Sequence, residues 1–584
     1  MAAPAEEHRV TQLADELRIP AVIAGILIQR NIGDFQTAKN FFRPTLDTTH
    51  DPFLMDGMEP ATERVLQAIE SGEKVCVYGD YDVDGTNATS MLYLFLRELG
   101  CDPMYHIPDR IVEGYGLSRP GIEKAAGAGV TLLITVDCGI TAVDEVRYAS
   151  TLGLETIICD HHEAGEAIPP AVAVLDPMKP GDLYPFKGLC GCGVALKLIQ
   201  AVAGKVGRTD LVGNYLQLAT LGTIADIVPL IDENRTLVKA GLESINSVAG
   251  TGIRALIREA GLASRRISTG QVLFALAPRI NAAGRLGDAG RAVRLLISDD
   301  DQESAALAKI LETENHKRRQ IDERTFEQAV AMAEESPTAG NEPAIVLHDD
   351  DWHPGVIGIV ASRMVERFYR PSIMLTSVDG VAKGSARSVP GFDLFRALSE
   401  CSDLMLQFGG HKYAAGLTLE IARIPEFTSR FREVVDTTMA DELRTPAVRI
   451  DAELLLSDLT PRFVRIMKEF APFGPGNSKP QFLIRSVAVS GNPRIVGKNH
   501  LKFRVRGENQ VVDAIGFGLG DRLPEVRRGA ADLDIVVSVE ENEYVMAQGV
   551  GNGETVPQLR IKDLRIGNDS PGESPRAVVH HQER

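Results

Sequence analysis

The sequence has 584 residues, which at about 150 residues per domain predicts roughly four domains. Hydrophobic residues make up 44% and charged residues 24%, a globular composition that excludes a disordered chain, a collagen-like repeat and a disulfide-stapled mini-protein. The net charge of −18 argues against a protein that coats nucleic acid indiscriminately. A local basic groove, or a carboxylate cluster neutralised by metal ions, is compatible with that charge.

Seven cysteines are scattered along the chain, and several lie inside apolar runs, such as Cys76 and Cys159. Their odd number and apolar surroundings indicate buried, reduced thiols, which fits a cytoplasmic location. Cys190 and Cys192 form a lone C-x-C without a second pair at zinc spacing, so we expect no zinc site. Since no apolar run is long enough to span a bilayer and the N-terminus is polar, we expect neither a membrane segment nor a secretory signal.

The periodicity of apolar residues changes along the chain. Residues 8–70 have helical spacing, whereas from residue 73 short apolar strands alternate with helix-length segments, which predicts an α/β domain with a parallel sheet. Residues 208–335 indicate helices again, and the polar stretch 298–336 is typical of a solvated connecting helix. A linker at 337–344, a second α/β unit and a strand-rich segment at 446–567 follow.

Acidic residues end three of the predicted parallel strands. Asp80 follows VCVYG, Asp137 ends LLITVD and Asp160 ends TIICD. The carboxyl ends of parallel strands lie along one edge of the sheet, which is where open α/β folds bind ligands. The three carboxylates are therefore expected at one edge.

The segment GDYDVDG places Asp80, Asp82 and Asp84 at alternate positions just beyond a strand. Three carboxylates this close repel one another, and a fold tolerates them best beside a cation. An EF-hand calcium loop would need flanking helices and a later glutamate, whereas here a strand precedes the motif. Taken alone, the segment is also compatible with a solvated acidic turn.

Further potential ligands lie at or just after apolar runs, namely Asp137, the triplet Asp160-His161-His162, and Asp226 in TIADIVPL. Carboxylates with one or two imidazoles and no thiolates favour Mn²⁺ or Mg²⁺ over zinc. Two such cations, bridged by a carboxylate, are the usual equipment for in-line displacement at phosphorus. The assembled set predicts two divalent cations and hydrolysis of a phosphoester or phosphoanhydride.

These four motifs, in this order, resemble those of the DHH phosphoesterase superfamily. HPGVIGIVASR (353–363), GSARS (384–388) and GGHKYAAGLTL (409–419) look like the DHH-associated substrate-binding domain. RINAAGRLGDAG (279–290), ENHKRRQ in the long helix, and FGPGNSKPQF (473–482) look like the RecJ branch, a family of single-strand-specific 5′→3′ exonucleases. The resemblance covers roughly residues 15–567.

The resemblance implies a multidomain α/β fold with a parallel-sheet DHH catalytic domain, a long connecting helix, a smaller α/β DHH-associated domain and a C-terminal OB-like β-barrel. The expected segments are an N-terminal helical segment packing on the catalytic domain (1–72), the DHH domain (73–240), a helical region with the connecting helix (241–340), the DHH-associated domain (341–445), the OB-like domain (446–567) and a disordered tail (568–584).

The resemblance also implies a role for each matching residue. Asp82 and Asp84 match ligands of one cation each, and Asp137 matches the carboxylate shared by both. His161 and Asp226 match ligands of the second cation. His162 matches a histidine that faces the scissile phosphate, where it would stabilise charge or protonate the leaving oxygen. These six residues are the implied catalytic set.

One position departs from the superfamily pattern. A histidine ligand of the first cation often stands four residues before the position of Asp82, and this sequence has Tyr78 there. Either Asp80 fills the vacancy as a metal ligand, or the first cation is more solvated.

Selection of a single strand requires phosphate contacts and surfaces on which bases stack. Candidates for phosphate contacts are Arg279, Asn281, Arg285, Ser385, Arg387 and His411. Taken alone, each of them is more simply explained by surface polarity or packing. Tyr115 in EGYGLS lies near the active site in the family, where it would stack on a base or act only as a structural loop residue.

A local charge reversal occurs from Arg494 to Arg506, which contains five lysines or arginines and no acidic residue. We expect a nucleic-acid face there, with Lys498, Lys502 and Arg504 as contacts and Phe503 as a stacking partner. The alternative is an edge strand protected by its charges. The resemblance implies an OB-fold, which commonly binds oligonucleotides.

The sequence contains neither of two common glycine-rich nucleotide-binding motifs. The sequence contains no P-loop, which argues against an ATP-driven helicase. GLCGCGVALK (188–197) lacks the G-x-G-x-x-G order and is interpreted as a turn that packs tightly into a helix.

Alternative functions stay open at this point. The same core serves phosphodiesterases of short oligonucleotides or cyclic dinucleotides and pyrophosphatases, and a non-catalytic scaffold that binds single-stranded DNA is a third possibility. The family reading implies single-stranded DNA with a free 5′ end as substrate, 5′-mononucleotides as products, and a helicase and single-strand-binding protein as partners in recombinational and mismatch repair. We expect a cytoplasmic monomer with no membrane partner.

Overall fold

The computed structural model describes residues 5–110, 112–335, 340, 342–507, 510–542 and 556–567. They form two compact units. The parallel-sheet unit comprises residues 36–316 and 470–479, and the two-sheet unit comprises the described parts of 1–35, 317–469 and 480–584. The predicted disordered tail, 568–584, lies outside the described residues.

The secondary structure alternates as predicted in the first half of the chain and becomes strand-rich in the second. The helices are α1 Glu7–Leu17, α2 Ala21–Gln29, α3 Phe35–Phe42, α4 Met58–Glu70, α5 Val83–Glu98, α6 Arg119–Gly127, α7 Val143–Thr151, α8 Gly191–Lys205, α9 Leu216–Ala225, α10 Asp232–Val248, α11 Thr251–Glu259, α12 Thr269–Gln271, α13 Ala277–Leu286, α14 Gly290–Ile297, α15 Asp301–Glu335, α16 Ile357–Phe368, α17 Leu394–Ser399, α18 Ile424–Thr438, α19 Pro461–Glu469 and α20 Leu523–Arg528. The strands are β1 Val75–Gly79, β2 Met104–His106, β3 Leu132–Val136, β4 Glu155–Cys159, β5 Ala173–Leu175, β6 Ile345–His348, β7 Ser372–Val378, β8 Val381–Arg387, β9 Gln407–Gly410, β10 Ala414–Glu420, β11 Ala452–Glu453, β12 Phe482–Val496, β13 His500–Arg506, β14 Val511–Gly516, β15 Leu533–Glu541 and β16 Pro557–Ile566.

The parallel-sheet unit is built on five parallel strands in the order β2-β1-β3-β4-β5. Helices cover both faces of this sheet. One face packs on α4, α5, α8 and α9 through residues such as Val77 and Ile134, and the other packs on α6 and α7 through Cys76 and Leu133. Strands buried on both faces are continuously apolar, which is why they were recognisable in the sequence.

The N-terminal segment does not pack as one piece. Helix α4 buries Met58 and Val65 in the core of the parallel-sheet unit. Residues 5–35 instead belong to the two-sheet unit, where Gln29 Nε2 donates a hydrogen bond to the carbonyl of Asp451 at 3.2 Å. The segment 1–72, predicted to pack on the catalytic domain, is thus divided between the two units. Helical periodicity identifies a face that must be buried but not the element that buries it.

The two-sheet unit contains a mixed sheet in the order β6-β7-β8-β10-β9 and a six-stranded sheet in the order β11-β12-β13-β14-β16-β15. In the second sheet β12 also pairs with β15, which closes the strands into a barrel. This confirms the predicted β-barrel-like fold of the strand-rich segment. Closure leaves fewer exposed strand edges than an open sheet would.

The long helix α15 is less solvated than its polar sequence indicated. It buries Leu311 in the core of the parallel-sheet unit, and further along it buries Phe326 and Ala329 in a core of the two-sheet unit. All seven cysteines are unpaired, and all but the half-buried Cys101 are buried. Among the described residues, no helix combines the length and apolar character needed to cross a membrane.

Candidate metal centre

The three acidic strand ends lie side by side at the carboxyl edge of the parallel sheet. Gly79 of β1 is in register with Val136 of β3, which is in register with Cys159 of β4. The residues that follow them, Asp80, Asp137 and Asp160, are all buried. Three separate sequence motifs are thereby brought to one place.

Three sets of side chains at this edge place their ligand atoms within 4.8 Å of one another. The sets are Asp80, Asp82 and Asp137; Asp84, His161 and Asp226; and Asp137, His161 and His162. Asp137 belongs to two sets, and its Oδ1 lies 3.1 Å from His161 Nε2. The same nitrogen is 3.7 Å from Asp226 Oδ2 and 3.9 Å from Asp84 Oδ2. The arrangement provides two adjacent oxygen-rich sites with Asp137 between them.

The donors fit divalent cations. Asp80 Oδ1 is buried and has no hydrogen-bond partner in the described structure, as expected of an oxygen that awaits a ligand. Burial, and then the charges of neighbouring carboxylates, raise the pKa values of Asp80, Asp82, Asp137 and Asp226. Uncompensated, this concentration of negative charge is unfavourable, and oxygen ligands with one imidazole suit Mn²⁺ or Mg²⁺.

Asp84 is held by the amino terminus of helix α8. Its carboxylate accepts hydrogen bonds from the backbone N–H groups of Gly191, at 2.6 Å, and Cys192, at 2.9 Å. A Cβ atom on Gly191 would lie 2.5 Å from Asp137 Cβ, so this position requires glycine. Sequence reasoning took GLCGCGVALK only for a tightly packed turn and missed that its N–H groups orient a candidate metal ligand.

Gly222 supplies a test of this packing. A Cβ at Gly222 in α9 would collide with Asp84 Oδ1 and Cys192 Sγ. Because the Asp84 carboxylate is fixed by two N–H groups, Gly222→Ala is expected to weaken Mn²⁺ binding about 10-fold or more. Gly204→Ala in α8 is the matched control, since nothing lies within 4 Å of its Cβ, and it should stabilise the helix without changing Mn²⁺ affinity. Isothermal titration with Mn²⁺ measures both, and equal affinities would contradict the expectation.

The residues of the triplet Asp160-His161-His162 have different roles: His161 belongs to two ligand sets, whereas Asp160 bonds to His162. Asp160 accepts hydrogen bonds from the backbone N–H groups of Ile140 and His161, at 2.9 and 2.8 Å, and its Oδ1 lies 2.7 Å from His162 Nδ1. Burial opposes ionisation of Asp160, but the hydrogen bond from His162 holds its pKa below the usual value. Burial likewise opposes the charge on His162, yet Asp160 raises the pKa of His162 to about 9. Asp160 thus orients His162 and favours its protonated form.

Tyr115 and Tyr78 lie beside this centre in different roles. The Tyr115 hydroxyl lies 3.2 Å from the Asp137 carbonyl and 3.3 Å from His162 Nε2, and its side chain is more than half exposed. Tyr78 is fully buried and is not in any of the ligand sets; its hydroxyl bonds to Gly116 and Ser118, which follow Tyr115 in the chain. Asp80 rather than Tyr78 contributes to the first cluster.

Residues 279–285, which contain three predicted phosphate contacts, lie in helix α13. Arg279 is buried, its Nε lies 2.6 Å from Glu312 and its Nη1 donates to the Ala275 carbonyl, so the structure does not support a phosphate contact by Arg279. Asn281 Oδ1 accepts from the N–H of Val83, at 3.1 Å, and so braces the first acidic motif instead. Arg285 is half-buried.

Sequence reasoning missed a cation beside the first motif. The Arg110 guanidinium lies over the Tyr81 ring, 5.0 Å from its centroid. Its charge opposes the rise in the pKa of Asp80 that burial and Asp82 cause. Arg110 also lines a cavity of about 670 Å³ together with Lys124 and Arg291.

In the two-sheet unit, Ser385 and Arg387 lie together on β8. Arg387 Nη1 donates to Ser385 Oγ at 3.1 Å, and a Cβ on Gly358 of α16 would lie 2.9 Å from that oxygen. Arg387 is in register with Ala414, whose carbonyl accepts from the N–H of exposed His411. The three predicted phosphate contacts therefore lie near one end of the β8–β10 pair.

The barrel displays the predicted basic face with a different aromatic residue. Lys502 and Arg504 alternate along β13 with core residues, and Lys498 is exposed in the preceding turn. Phe503 is buried in the core, so the prediction that it stacks on a base is wrong. Phe517, which the sequence did not single out, is half-buried in this domain, with Arg560 4.7 Å from its ring centroid.

The raised pKa values give a prediction for pH. A carboxyl group with a raised folded-state pKa holds a proton that the unfolded chain has released, so lower pH favours the folded, metal-free protein. Protonated His162 stabilises the folded state. This stabilisation is complete below the ordinary histidine pKa of 6.5 and is lost as the pH rises through about 9. We therefore expect the Tm in EDTA to rise as pH falls from 9 to 6.5. With Mn²⁺ the trend should reverse, because protons compete for the ligands. A Tm in EDTA that falls over this interval would contradict the prediction.

Comparisons with known proteins agree on one family. Profiles described as the DHH family N-terminal domain, the DHHA1 domain and the RecJ OB domain match residues 74–223, 341–437 and 450–563. The chain is 39% identical over 566 residues to the single-stranded-DNA-specific exonuclease RecJ of Bacillus subtilis, covering 96% of this chain and 70% of that protein. It is 36% identical to the protein of the same name from Thermus thermophilus, covering 88% and 71%.

Solved structures of proteins named RecJ also match this chain. The crystal structure of RecJ in complex with Mn²⁺ from Thermus thermophilus matches with a TM-score of 0.80 at 32% identity, covering 96% of this chain and 78% of that one. The corresponding Mg²⁺ complex matches with a TM-score of 0.75 at 30% identity, covering 96% and 77%.

Proposed function

Because the chain belongs to the RecJ family, whose curated members are named single-stranded-DNA-specific exonucleases, we propose that it is a metal-dependent 5′→3′ exonuclease of single-stranded DNA. The proposed products are 5′-mononucleotides, released from a free 5′ end. The observation that carries the proposal is a pair of adjacent ligand sets, in which Asp137 of the first set lies 3.1 Å from His161 Nε2 of the second.

The proposed metal ligands are the residues of two of the ligand sets. Asp80, Asp82 and Asp137 would hold one divalent cation, and Asp84, His161 and Asp226 the other, with Asp137 between them. Mn²⁺ or Mg²⁺ ions bound there would polarise the scissile phosphate, lower the pKa of a bound water and neutralise developing charge. Asp160, which is outside the three sets, orients His162.

His162 is the proposed electrophile or proton donor. Departure of the terminal nucleotide breaks the bond between phosphorus and its 3′ oxygen, and that oxygen must gain a proton. The hydrogen bond with Asp160 occupies Nδ1 and raises the pKa of His162 to about 9, which leaves Nε2 as the proposed donor nitrogen. Tyr115, whose hydroxyl is close to Nε2, is positioned to stack on the terminal base or to limit the movement of the imidazole.

Separate surfaces would hold the DNA strand. Ser385, Arg387 and His411 offer a hydroxyl, a guanidinium and an imidazole for a phosphate, and Arg285 and Arg110 offer further positive charge near the first motif. On the barrel, Lys498, Lys502 and Arg504 would follow the phosphate backbone while Phe517 offers a stacking surface. We leave Arg279 out of the proposed DNA contacts.

The wider setting follows from the family alone. We propose a cytoplasmic monomer that acts with a helicase and single-strand-binding protein in recombinational and mismatch repair. The described residues give no docking site for either partner.

Product analysis tests the substrate class. Single-stranded DNA, blunt duplex DNA, a dinucleotide and pyrophosphate would each be incubated with Mn²⁺, Mg²⁺ or EDTA and analysed by chromatography. We expect mononucleotides from the single strand alone, and only with metal. Hydrolysis of the dinucleotide or pyrophosphate with the strand intact would favour the short-substrate alternative. Binding of the strand without hydrolysis of any substrate would favour the scaffold.

A further inference from the structure

We propose that Asn234, in the first turn of α10, is a positioning residue that holds both loops on which the second metal site depends. The proposal rests on the metal centre proposed above. Asn234 is fully buried, and its side-chain amide nitrogen donates two hydrogen bonds. The acceptors are the carbonyls of Gly188, at 2.6 Å, and Pro229, at 3.0 Å.

Each acceptor lies next to a metal-site element. Gly188 is three residues before Gly191, whose N–H group and that of Cys192 hold the Asp84 carboxylate. Pro229 is three residues after Asp226, a member of the same ligand set as Asp84. A single amide nitrogen therefore ties together the loop that orients Asp84 and the loop that carries Asp226.

The residues on either side of Asn234 fix the start of α10. Glu233 is buried, where it forms an ion pair with Lys197 at 2.7 Å and accepts a hydrogen bond from the Tyr184 hydroxyl at 2.6 Å. Arg235 donates to the carbonyls of Phe41 and Phe470, at 2.9 Å each, and its guanidinium lies over the Phe41 ring. Because Glu233 and Arg235 are held by these contacts, the side chain of Asn234 has a fixed position from which it restrains the loops that contain Gly188 and Pro229.

The backbone of the loop after Asp226 is strained at its first residue. Ile227 has a positive φ of 62° and is more than half exposed. For a β-branched residue this backbone conformation is strained, and it persists only where surrounding contacts impose it. The bond from Asn234 to Pro229, together with the bond from the N–H of Leu230 to the Pro475 carbonyl at 2.7 Å, supplies such contacts. Loss of the amide would let Asp226 relax away from Asp84.

The test compares two amides on the same helix. Asn246, near the other end of α10, also donates from its side chain to a loop carbonyl, that of Ile267 at 2.8 Å, but none of its partners is near the metal site. Asn234→Ala and Asn246→Ala would both be titrated with Mn²⁺ in the absence of DNA, with free Mn²⁺ measured by electron paramagnetic resonance. Tm would be measured alongside.

We expect Asn234→Ala to weaken binding of one of the two Mn²⁺ ions about 10-fold, and Asn246→Ala to lower Tm without changing either affinity. If Asn234→Ala does not fold, Asn234→Ser keeps one donor and should show a smaller loss of the same affinity. Unchanged Mn²⁺ affinity in a folded Asn234 variant would overturn the inference. Failure of the wild-type protein to degrade single-stranded DNA while it binds Mn²⁺ would overturn the proposed function and leave the inference intact.

Discussion

Asp137→Asn is expected to lower kcat on single-stranded DNA by about 10³-fold or more, equivalent to about 4 kcal/mol of transition-state stabilisation. Asp137 belongs to the first ligand set and its Oδ1 lies 3.1 Å from His161 Nε2 of the second, and an uncharged amide of the same shape is a poor bridge between two cations. The same change should raise the Tm of the metal-free protein. Burial, and then the charge of Asp84, raise the pKa of Asp137, so replacing the carboxylate removes an unfavourable buried charge.

Asp176→Asn is the matched control for this variant. Asp176 follows β5 at the same edge of the sheet and is fully buried, and burial raises its pKa to about 7. It is outside the three ligand sets, and its Oδ1 accepts a hydrogen bond from the N–H of Met178 that an amide oxygen can also accept. Both variants should be stabilised in EDTA, but only Asp137→Asn should lose activity. Equal activities would show that the acidic edge is not the reaction centre.

His162→Ala is expected to lower kcat by about 10²- to 10⁴-fold, the usual range for loss of a general acid or base. The hydrogen bond with Asp160 favours the protonated imidazole and orients it. If His162 protonates the leaving oxygen, the loss should shrink on a strand whose terminal linkage carries sulfur in place of the 3′ oxygen. A thiolate leaves without needing that proton.

The control for His162 is a histidine with similar partners elsewhere. His348 Nε2 lies 3.1 Å from Ser377 Oγ and 3.4 Å from Asp350, in the two-sheet unit. His348→Ala should leave kcat unchanged on both linkages. A loss for His162→Ala that is equal on the oxygen and sulfur linkages would contradict proton donation and leave electrostatic stabilisation as its role.

The acidic part of the site was accessible from the sequence for a simple geometric reason. Asp80, Asp137 and Asp160 each follow a continuously apolar strand, and parallel strands bring their carboxyl ends to one edge. The sequence could not specify distances within the clusters. Those depend on the N–H groups of Gly191 and Cys192, which are over a hundred positions from Asp84 along the chain.

Arg279 and Phe503 lie in surroundings that differ from those the sequence indicated, for two different physical reasons. Arg279 was expected to bind phosphate, but its partner Glu312 belongs to another helix, and no local pattern reveals such a pairing. Phe503 was a different case, because the alternation of Leu501, Phe503 and Val505 with charged residues already indicates an inward-facing position on a strand. The alternation along the strand, and not the basic composition of the segment, determines that Phe503 faces the core.

The central claim is that the acidic edge degrades single-stranded DNA from its 5′ end with bound divalent cations. The most direct test uses a single strand labelled at its 3′ end, incubated with Mn²⁺ or EDTA and with the wild type or Asp82→Ala. The account predicts that the wild type with Mn²⁺ shortens the labelled strand progressively from its unlabelled end, and that EDTA or Asp82→Ala prevents this. Immediate release of the label as a mononucleotide, or equal degradation by Asp82→Ala, would contradict it.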